Sequence, residues 1–387
     1  MPVRIGAGVS TEPDARVGAI EAATAAKQEL DSRPVDLAVV FASGAHLAAP
    51  EATLEGVHEA LMPTQLIGCG AGGVLGRGRE LENGTAAVVW AASLRDAEVQ
   101  AFWARSSPDA NDEGIEGVPD CEGASATILL PDPYSFPADE MLSQLRDAAP
   151  GMPVLGGISS ARTLDGSAAL FRDQEVMGEG AVGVCVRGVD VLPCVSQGAA
   201  PVGPELTITA AEDHLIHELA GAPALGKVRE VIAGLSAHER ALVAEGLLLG
   251  IVIEGGKPEY GQGDFLVRGL LGADPATGAI AVGARVEPGQ VVRLHARDAE
   301  SADRDLQEAL GVLAAALGGR EAAGTLCFTC NGRGRAMFGT AHHDARALQQ
   351  KLGDAPAAGF FAAGEIGPVA GDNFLHGFTA TMAVFAP

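Results

Sequence analysis

The sequence predicts an α/β protein, with mixed sheets backed by helices, in two domains built from repeated β-α-β-β units. Three observations predict it. Three stretches share one plan of strand, helix, strand, glycine-rich loop and strand. Their first two strands are offset by about 30 residues each time, the size of a βαβ unit. The segments between them place apolar residues on one helical face: Leu54, Val57 and Leu61 in the first copy, Ala345, Leu348 and Leu352 in the third.

The first copy runs from VDLAVVFAS (35–43) through PEATLEGVHEAL to LIGCGAGG (66–73) and TAAVVWAAS. The second runs from ASATILL (124–130) through SFPADEMLSQLRDAAP to VLGGISSAR (154–162) and GEGAVGVCVRG. The third runs from GTLCFTC (324–330) through TAHHDARALQQKLG to AAGFFAAGEIGP (357–368) and HGFTATMAVF. Pro50 and Pro137 suit first helical turns, where a missing N–H costs nothing, and Ser135 or Thr340 can cap. Gly353 is a helix stop.

Ahead of the first copy, VRIGAGVS reads as a strand. Thr11 and Pro13 then open a helix through Leu30, with Val17, Ile20 and Ala23 or Thr24 on one side. Between copies two and three, LTITA and HLIHELAG suggest a hairpin, and Pro223 opens the helix PALGKVREVIAGL. FLVRGLLG, AIAVGARV and VVRLHAR read as a three-strand meander. Asp298 or Ser301 can cap a helix carrying Leu306, Leu310, Leu313 and Leu317. The domain boundary is placed near residue 220, giving domains 1–220 and 221–387.

LIGCGAGG also fits the dinucleotide fingerprint G-x-G-x-x-G at Gly68, Gly70 and Gly73. That fingerprint needs a helix to follow, because the helix N-terminus holds the pyrophosphate. Here VLGRGRELENG follows, with Gly76 and Gly78 where a helix needs good formers. The loop reads instead as a strand-to-strand corner, recurring as GCGAGG, GGISSAR and AGEIGP.

The net charge of −24 is spread along the chain and argues against nucleic acid or an anionic membrane as partner, since phosphate binding needs a basic patch. Six cysteines at 69, 121, 185, 194, 327 and 330 lie mostly in apolar runs and suit buried reduced thiols. The N-terminus lacks the apolar core of a signal peptide, and the run GLLLGIVI (246–253) is too short to span a bilayer. A cytoplasmic protein without membrane insertion is expected.

The stretches DLAVVFASGAH, LIGCGAGGVLG, ELAGAPAL, YGQGDFLVRGLLGAD, LHARDAESADRDL, CNGRGRAMFG and GFFAAGEIGPVAGDNFLHGFTAT together resemble the FIST family, the F-box and intracellular signal-transduction domain, with its N and C halves. The resemblance spans roughly residues 30 to 385, in order. It implies a sensory module that binds small ligands such as amino acids, found beside signalling outputs in bacteria or an F-box in eukaryotes. No such output segment remains once both halves are counted, so a separate downstream signalling protein is the expected partner. The rival readings are an enzyme using Cys330 or Glu365 on a small amino- or carboxylate-bearing metabolite, and a protein-interaction scaffold. No cofactor and no metal site is expected.

Candidate ligand contacts follow from the corners and the resembling motifs. In CNGRG, Arg333 could clamp a carboxylate or phosphate bidentately, or face solvent from a turn. Cys327 and Cys330 form a C-x-x-C, but residues three apart on a strand point to opposite faces, so Cys330 alone is the ligand-facing candidate. In GEIGP, Glu365 could bind an amine or serve as a base, or merely satisfy loop N–H groups. Asn373 and the weaker His376 follow it. Cys69 and Gly70 in the first corner, and Ser159, Ser160 and Arg162 in the second, take matching places and would join Glu365 in one cleft if the repeats face each other. Turn capping competes as the role of either serine. His46, after the first strand, and Arg268, in FLVRG, complete the set. His342 and His343 face different ways on a helix start and make a poor metal pair.

Overall fold

The computed structural model describes residues 3–94, 96–107 and 114–387. The chain forms two compact units, Met1–Val195 with Leu306–Leu375 and Ala380–Pro387, and Ser196–Asp305 with His376–Thr379. Residue 220 falls inside the second unit, and the third repeat packs in the first unit with its two predecessors.

In the first unit the expected repeats are present. Their lead strands are Leu37–Ser43, Ala126–Pro131 and Gly324–Cys330. Each pairs in parallel with the second strand of its own repeat, Gln65–Gly70, Val154–Gly157 and Ala357–Ala362. The closing strands Ala86–Ser93, Ala181–Arg187 and Thr379–Phe385 run antiparallel to the leads. One glycine in each second strand faces a lead-strand carbonyl so closely that a Cβ would stand 2.1 Å (Gly68), 1.9 Å (Gly156) or 1.8 Å (Gly359) from the oxygen.

The short strand after each corner does not stay with its own repeat. Val74–Gly76 leaves the first and pairs with Ala357–Ala362 of the third. Leu170–Arg172 leaves the second and pairs with Gln65–Gly70 of the first. Glu365–Val369 leaves the third and pairs with Val154–Gly157 of the second. The exchange is cyclic, so three sheets of six, seven and six strands each end in a neighbour's hairpin. Their facing sides share one core holding Phe41, Trp90, Phe328, Phe360 and Phe385. The rings of Phe41 and Phe360 lie 4.9 Å apart, as do those of Trp90 and Phe385.

Helices Ala15–Gln28 and Pro50–Leu61 cover the first sheet, Ala138–Ala148 the second, and His343–Leu352 the third. Leu306, Leu310, Leu313 and Leu317 pack with this last helix. Three local expectations are corrected. The first helix buries Ala15, Ala19, Ala22, Ala23 and Ala26, whereas Val17 is 46% exposed, because a helix lying close on a strand admits only small side chains. Its cap is Asp14, which accepts from the Arg16 and Val17 N–H groups, and not Thr11. Neither Ser135 nor Thr340 caps a helix; Pro137 and His342 hold those positions. The Ser135 hydroxyl donates to Asp132 instead.

The second unit is a closed ring of strands. Ala199–Glu212, Val291–Arg297, Leu247–Val252, Phe265–Ala273, Ile280–Val282 and Leu215–Leu219 neighbour one another in that order, and the last pairs back to the first. The expected meander is corrected here. Val291–Arg297 pairs with Leu247–Val252 and Ala199–Glu212, not with Ile280–Val282, because the apolar run LLLGIV inserts as a strand. Leu249, Ile251, Val292 and Leu294 point into a core closed by Val228 and Val231 of helix Ala224–Gly234. A helix the sequence reading passed over, Ala237–Glu245, opens with a Ser236–Glu239 capping box. Among the described residues no helix is long and apolar enough to cross a membrane.

Candidate functional site

The three glycine corners meet. The Ser159 hydroxyl donates to the Gly70 carbonyl at 2.8 Å. The Ser160 hydroxyl accepts from the Gly72 N–H at 2.9 Å and donates to the Phe361 carbonyl. The Ile158 N–H donates to Gly364 at 2.8 Å, and the Phe361 N–H to Gly73 at 3.0 Å. Each corner thus satisfies the polar backbone of another, and the junction is filled by its own members. Cys69 is fully buried, and burial pushes its thiol far above the ordinary range.

Arg162, His46 and Asn373 are committed to bonds within the fold. Arg162 forks onto Asp132 at 3.1 and 2.8 Å and lies 4.6 Å over the Tyr134 ring. Burial would raise the Asp132 carboxyl, but Arg162, Ser135 and the Tyr134 N–H outweigh it and lower its pKa. His46 is buried between Thr53 (3.1 Å) and the Glu12 carbonyl (3.2 Å), and burial lowers its pKa. Asn373 accepts from the Val154 N–H and donates to the Met152 carbonyl, both at 2.8 Å, stitching a swapped hairpin to the second repeat. Glu365 is buried, and its backbone lies opposite Gly157.

Arg333 forks onto Asp344 at 2.8 and 2.9 Å with both side chains buried. Thr329 (2.6 Å) and His343 (2.9 Å) also bond this carboxylate, and Arg333 lies 5.1 Å over Phe338. Burial alone would raise Asp344; the Arg333 charge and these bonds hold it well below the usual carboxylate range. Glu80, from the first repeat's swapped hairpin, accepts the Ala345 N–H at 2.9 Å and so caps the third repeat's helix from outside. The buried Cys330 thiol accepts from the Gly332 N–H at 3.4 Å, and Cys327 is fully buried with a thiol pushed up by desolvation. CNGRG therefore anchors the third repeat through an ion pair supplied entirely by the chain.

In the second unit Arg268 donates to the Val267 carbonyl at 3.3 Å. A different cluster, outside the expected set, forms there. Strand Val291–Arg297 places His295 and Arg297 on one face, since alternate strand residues share a side. The His295 ring crosses Gly250, where a Cβ would stand 2.2 Å from its Cε1. It meets Phe265 edge-on at 4.8 Å. His295 Nδ1 lies 3.1 Å from the Arg293 carbonyl. A carbonyl can only accept, so Nδ1 carries the hydrogen and Nε2 is a bare acceptor. That Nε2 is buried with no hydrogen-bond partner among the described residues. Burial pulls the His295 pKa down to about 4, keeping the ring neutral at pH 7.

The Arg297 guanidinium stacks 4.2 Å over Phe378, and its buried Nε likewise lacks a partner among the described residues. Phe378 and Tyr260 pack with Ala199, Leu248, Phe265 and Val267 into one apolar patch. The loop 253–264 contributes Tyr260, whose ring lies 6.0 Å from that of Phe265. Bonds inside the loop join Lys257 to Asp264 at 2.6 Å, the Gly261 N–H to Asp264 at 2.9 Å, the Gly256 N–H to the Tyr260 hydroxyl at 3.0 Å, and the Ile253 and Asp264 N–H groups to the Asp264 and Gly261 carbonyls at 3.0 and 3.2 Å. Its bonds to Gln197 come from the Gln262 side chain at 3.0 Å and the Gly263 N–H at 3.1 Å. Donor and acceptor thus share one strand face, and the loop brings Tyr260 to the neighbouring rings. The signal was present in three of the resembling stretches, YGQGDF, LHARD and LHGFT, which only strand pairing and the 376–379 segment bring together.

Comparison with known proteins is consistent across the chain. Residues 36–222 match the FIST N domain, and residues 224–368 match the FIST C domain. An uncharacterized protein of Mycobacterium bovis is 46% identical over 384 residues, covering 99% of each chain. An uncharacterized protein of Mycobacterium tuberculosis H37Rv is also 46% identical over 384 residues, covering 99% of this chain and 100% of its own.

Proposed function

Since the chain belongs to the FIST family, whose domains are associated with signal-transduction sensing, we propose that it is a sensory protein binding a small carboxylate-bearing metabolite, amino acids among them, at His295 and Arg297. The observation that carries this is the pair of buried polar atoms without partners, one acceptor and one cationic donor, on a single strand face beside aromatic rings. A buried donor or acceptor left unsatisfied costs about 1–3 kcal/mol, which a ligand supplying the missing partner recovers.

The chemistry of the two atoms defines the ligand. Arg297 Nε–H calls for an anionic acceptor such as a carboxylate, which meets the edge of the guanidinium whose face is stacked on Phe378. His295 Nε2 calls for a donor, an ammonium or hydroxyl beside that carboxylate. The rings of Phe265, Phe378 and Tyr260 receive the apolar remainder. Entry requires the loop 253–264 to lift, and binding favours the closed loop. Such differential affinity for two states is what a ligand needs in order to signal, and a separate partner protein reads the closed state.

A thermal-shift panel of 2-amino and 2-hydroxy acids tests the proposal. A ligand at a hundredfold excess over its Kd stabilises the protein by about 2.7 kcal/mol. The shift should appear for a subset of the panel and vanish in Arg297→Gln. A shift that survives unchanged in that variant would place the ligand elsewhere.

A further inference from the structure

Outside the elements used so far, one cluster of nucleophilic side chains stands apart. Cys185 lies on strand Ala181–Arg187 opposite Thr127 in register. The segment 117–125 folds back over this strand, closed by an Ala124 N–H bond to the Cys121 carbonyl and a Ser125 N–H bond to the Val186 carbonyl. The two thiols therefore meet at one hydroxyl: Thr127 Oγ1 is 3.4 Å from Cys185 Sγ and 3.8 Å from Cys121 Sγ. Met152 Sδ lies 3.3 Å from the same hydroxyl. Arg187, two residues beyond Cys185, donates to the carbonyls of Asp120 and Glu122 on either side of Cys121 and clamps the segment in place.

We propose that Cys121 and Cys185 are a site of reversible oxidation by hydroperoxides, Cys121 reacting first and Cys185 resolving it to a disulfide. Each thiol is the strongest influence on the other. Cys185, with Thr127 and the Arg187 charge, outweighs burial and brings the Cys121 pKa down to about 7, although the Cys121 thiol also donates to the Pro119 carbonyl at 3.4 Å; Cys185 is driven up. The thiolate is the nucleophile, so the two sulfurs have different roles. All four thiols are buried, Cys121 the least at 3% exposed; Cys69 and Cys327, pushed up by desolvation, lack the shared Thr127 hydroxyl.

The step balances. The Cys121 thiolate attacks the terminal peroxide oxygen; an S–O bond forms, the O–O bond breaks, and the alkoxide leaves as the alcohol after taking a proton. The Cys185 sulfur then attacks the sulfenic sulfur of Cys121; the S–S bond forms, the S–O bond breaks, and hydroxide leaves as water with the Cys185 proton. Two thiols and one hydroperoxide become a disulfide, an alcohol and water. A low-molecular-weight thiol reverses the reaction by exchange.

The test treats the reduced full chain with hydrogen peroxide, alkylates the remaining thiols and maps the peptides. Two of the six free cysteines should disappear first, as a linked pair of peptides carrying Cys121 and Cys185, and dithiothreitol should restore both. In Cys185→Ser, Cys121 should be trapped by dimedone as the sulfenic acid. In Cys121→Ser the rate of thiol loss should fall by about tenfold or more. Linkage of any other pair, or retention of both thiols at peroxide levels that oxidise free cysteine, overturns the proposal. That map uses the unaltered chain and decides the matter even if a variant fails to fold.

Discussion

The two units each carry an arginine stacked on a phenylalanine, and the contrast between them separates structure from function. In the first unit Arg333 faces Phe338 and forks onto Asp344, whose carboxylate Thr329 and His343 also bond, so its charge is met within the chain although its buried Nη1 has no hydrogen-bond partner among the described residues. In the second unit Arg297 faces Phe378, and no carboxylate pairs with it among the described residues. The first arginine has its counter-ion within the fold; the second is the one proposed to meet a ligand. An arginine in a family motif is therefore informative only when the origin of its counter-charge is known.

The largest effect should come from breaking the first of these. Asp344→Ala leaves the Arg333 charge buried without its counter-ion, a change that costs about 3–5 kcal/mol. Chemical denaturation should show that loss; a loss below about 1 kcal/mol would mean that the pair is not structural.

Next comes the acid limb of the second unit. Unfolded, the His295 ring gains its proton near pH 6.5; folded, it does so only at about 4. The unfolded state thus binds more protons between these values, and stability is full above pH 6.5 and falls as the pH drops toward 4. The loss reaches about 3 kcal/mol at most. Thermal melts of His295→Gln should lack this component, and an unaltered pH profile would show that the ring is not the titrating group.

Smaller again is the effect of the glycine device common to the repeats. Gly359→Ala would push a methyl onto the Cys327 carbonyl and should cost about 1–3 kcal/mol, read as a shift in the denaturant midpoint. An alanine accepted without cost would show that the parallel pair is looser than its register indicates. The smallest stability effect should be that of Arg297→Gln, within about 0.5 kcal/mol in the absence of ligand. The comparison sharpens if ligand response is lost here while stability is kept, and it breaks if this variant unfolds as Asp344→Ala does.

The repeats were legible because each lead strand is a long apolar run followed by a helix with a clear face. The exchange of hairpins was not, since strands such as Val74–Gly76 and Leu170–Arg172 are three residues long and carry no periodicity. The convergence of the corners at Ser159 and Gly70 was expected only on condition that the repeats face one another. Their filling of one another did not, because hydrogen-bond partners such as Phe361 lie about two hundred residues away along the chain. The second-unit cluster was hidden for a related reason. His295 looks like one more polar residue in an alternating strand until Gly250, Phe265 and Phe378 are folded around it.

Hydrogen exchange with and without a stabilising amino or hydroxy acid tests the location of the seat most directly. Added protection is expected in the loop 253–264, strand Val291–Arg297 and residues 376–379, with the corners at 70–73, 157–162 and 362–365 unchanged. Protection confined to those corners, with the loop and strand exchanging as before, would contradict that location.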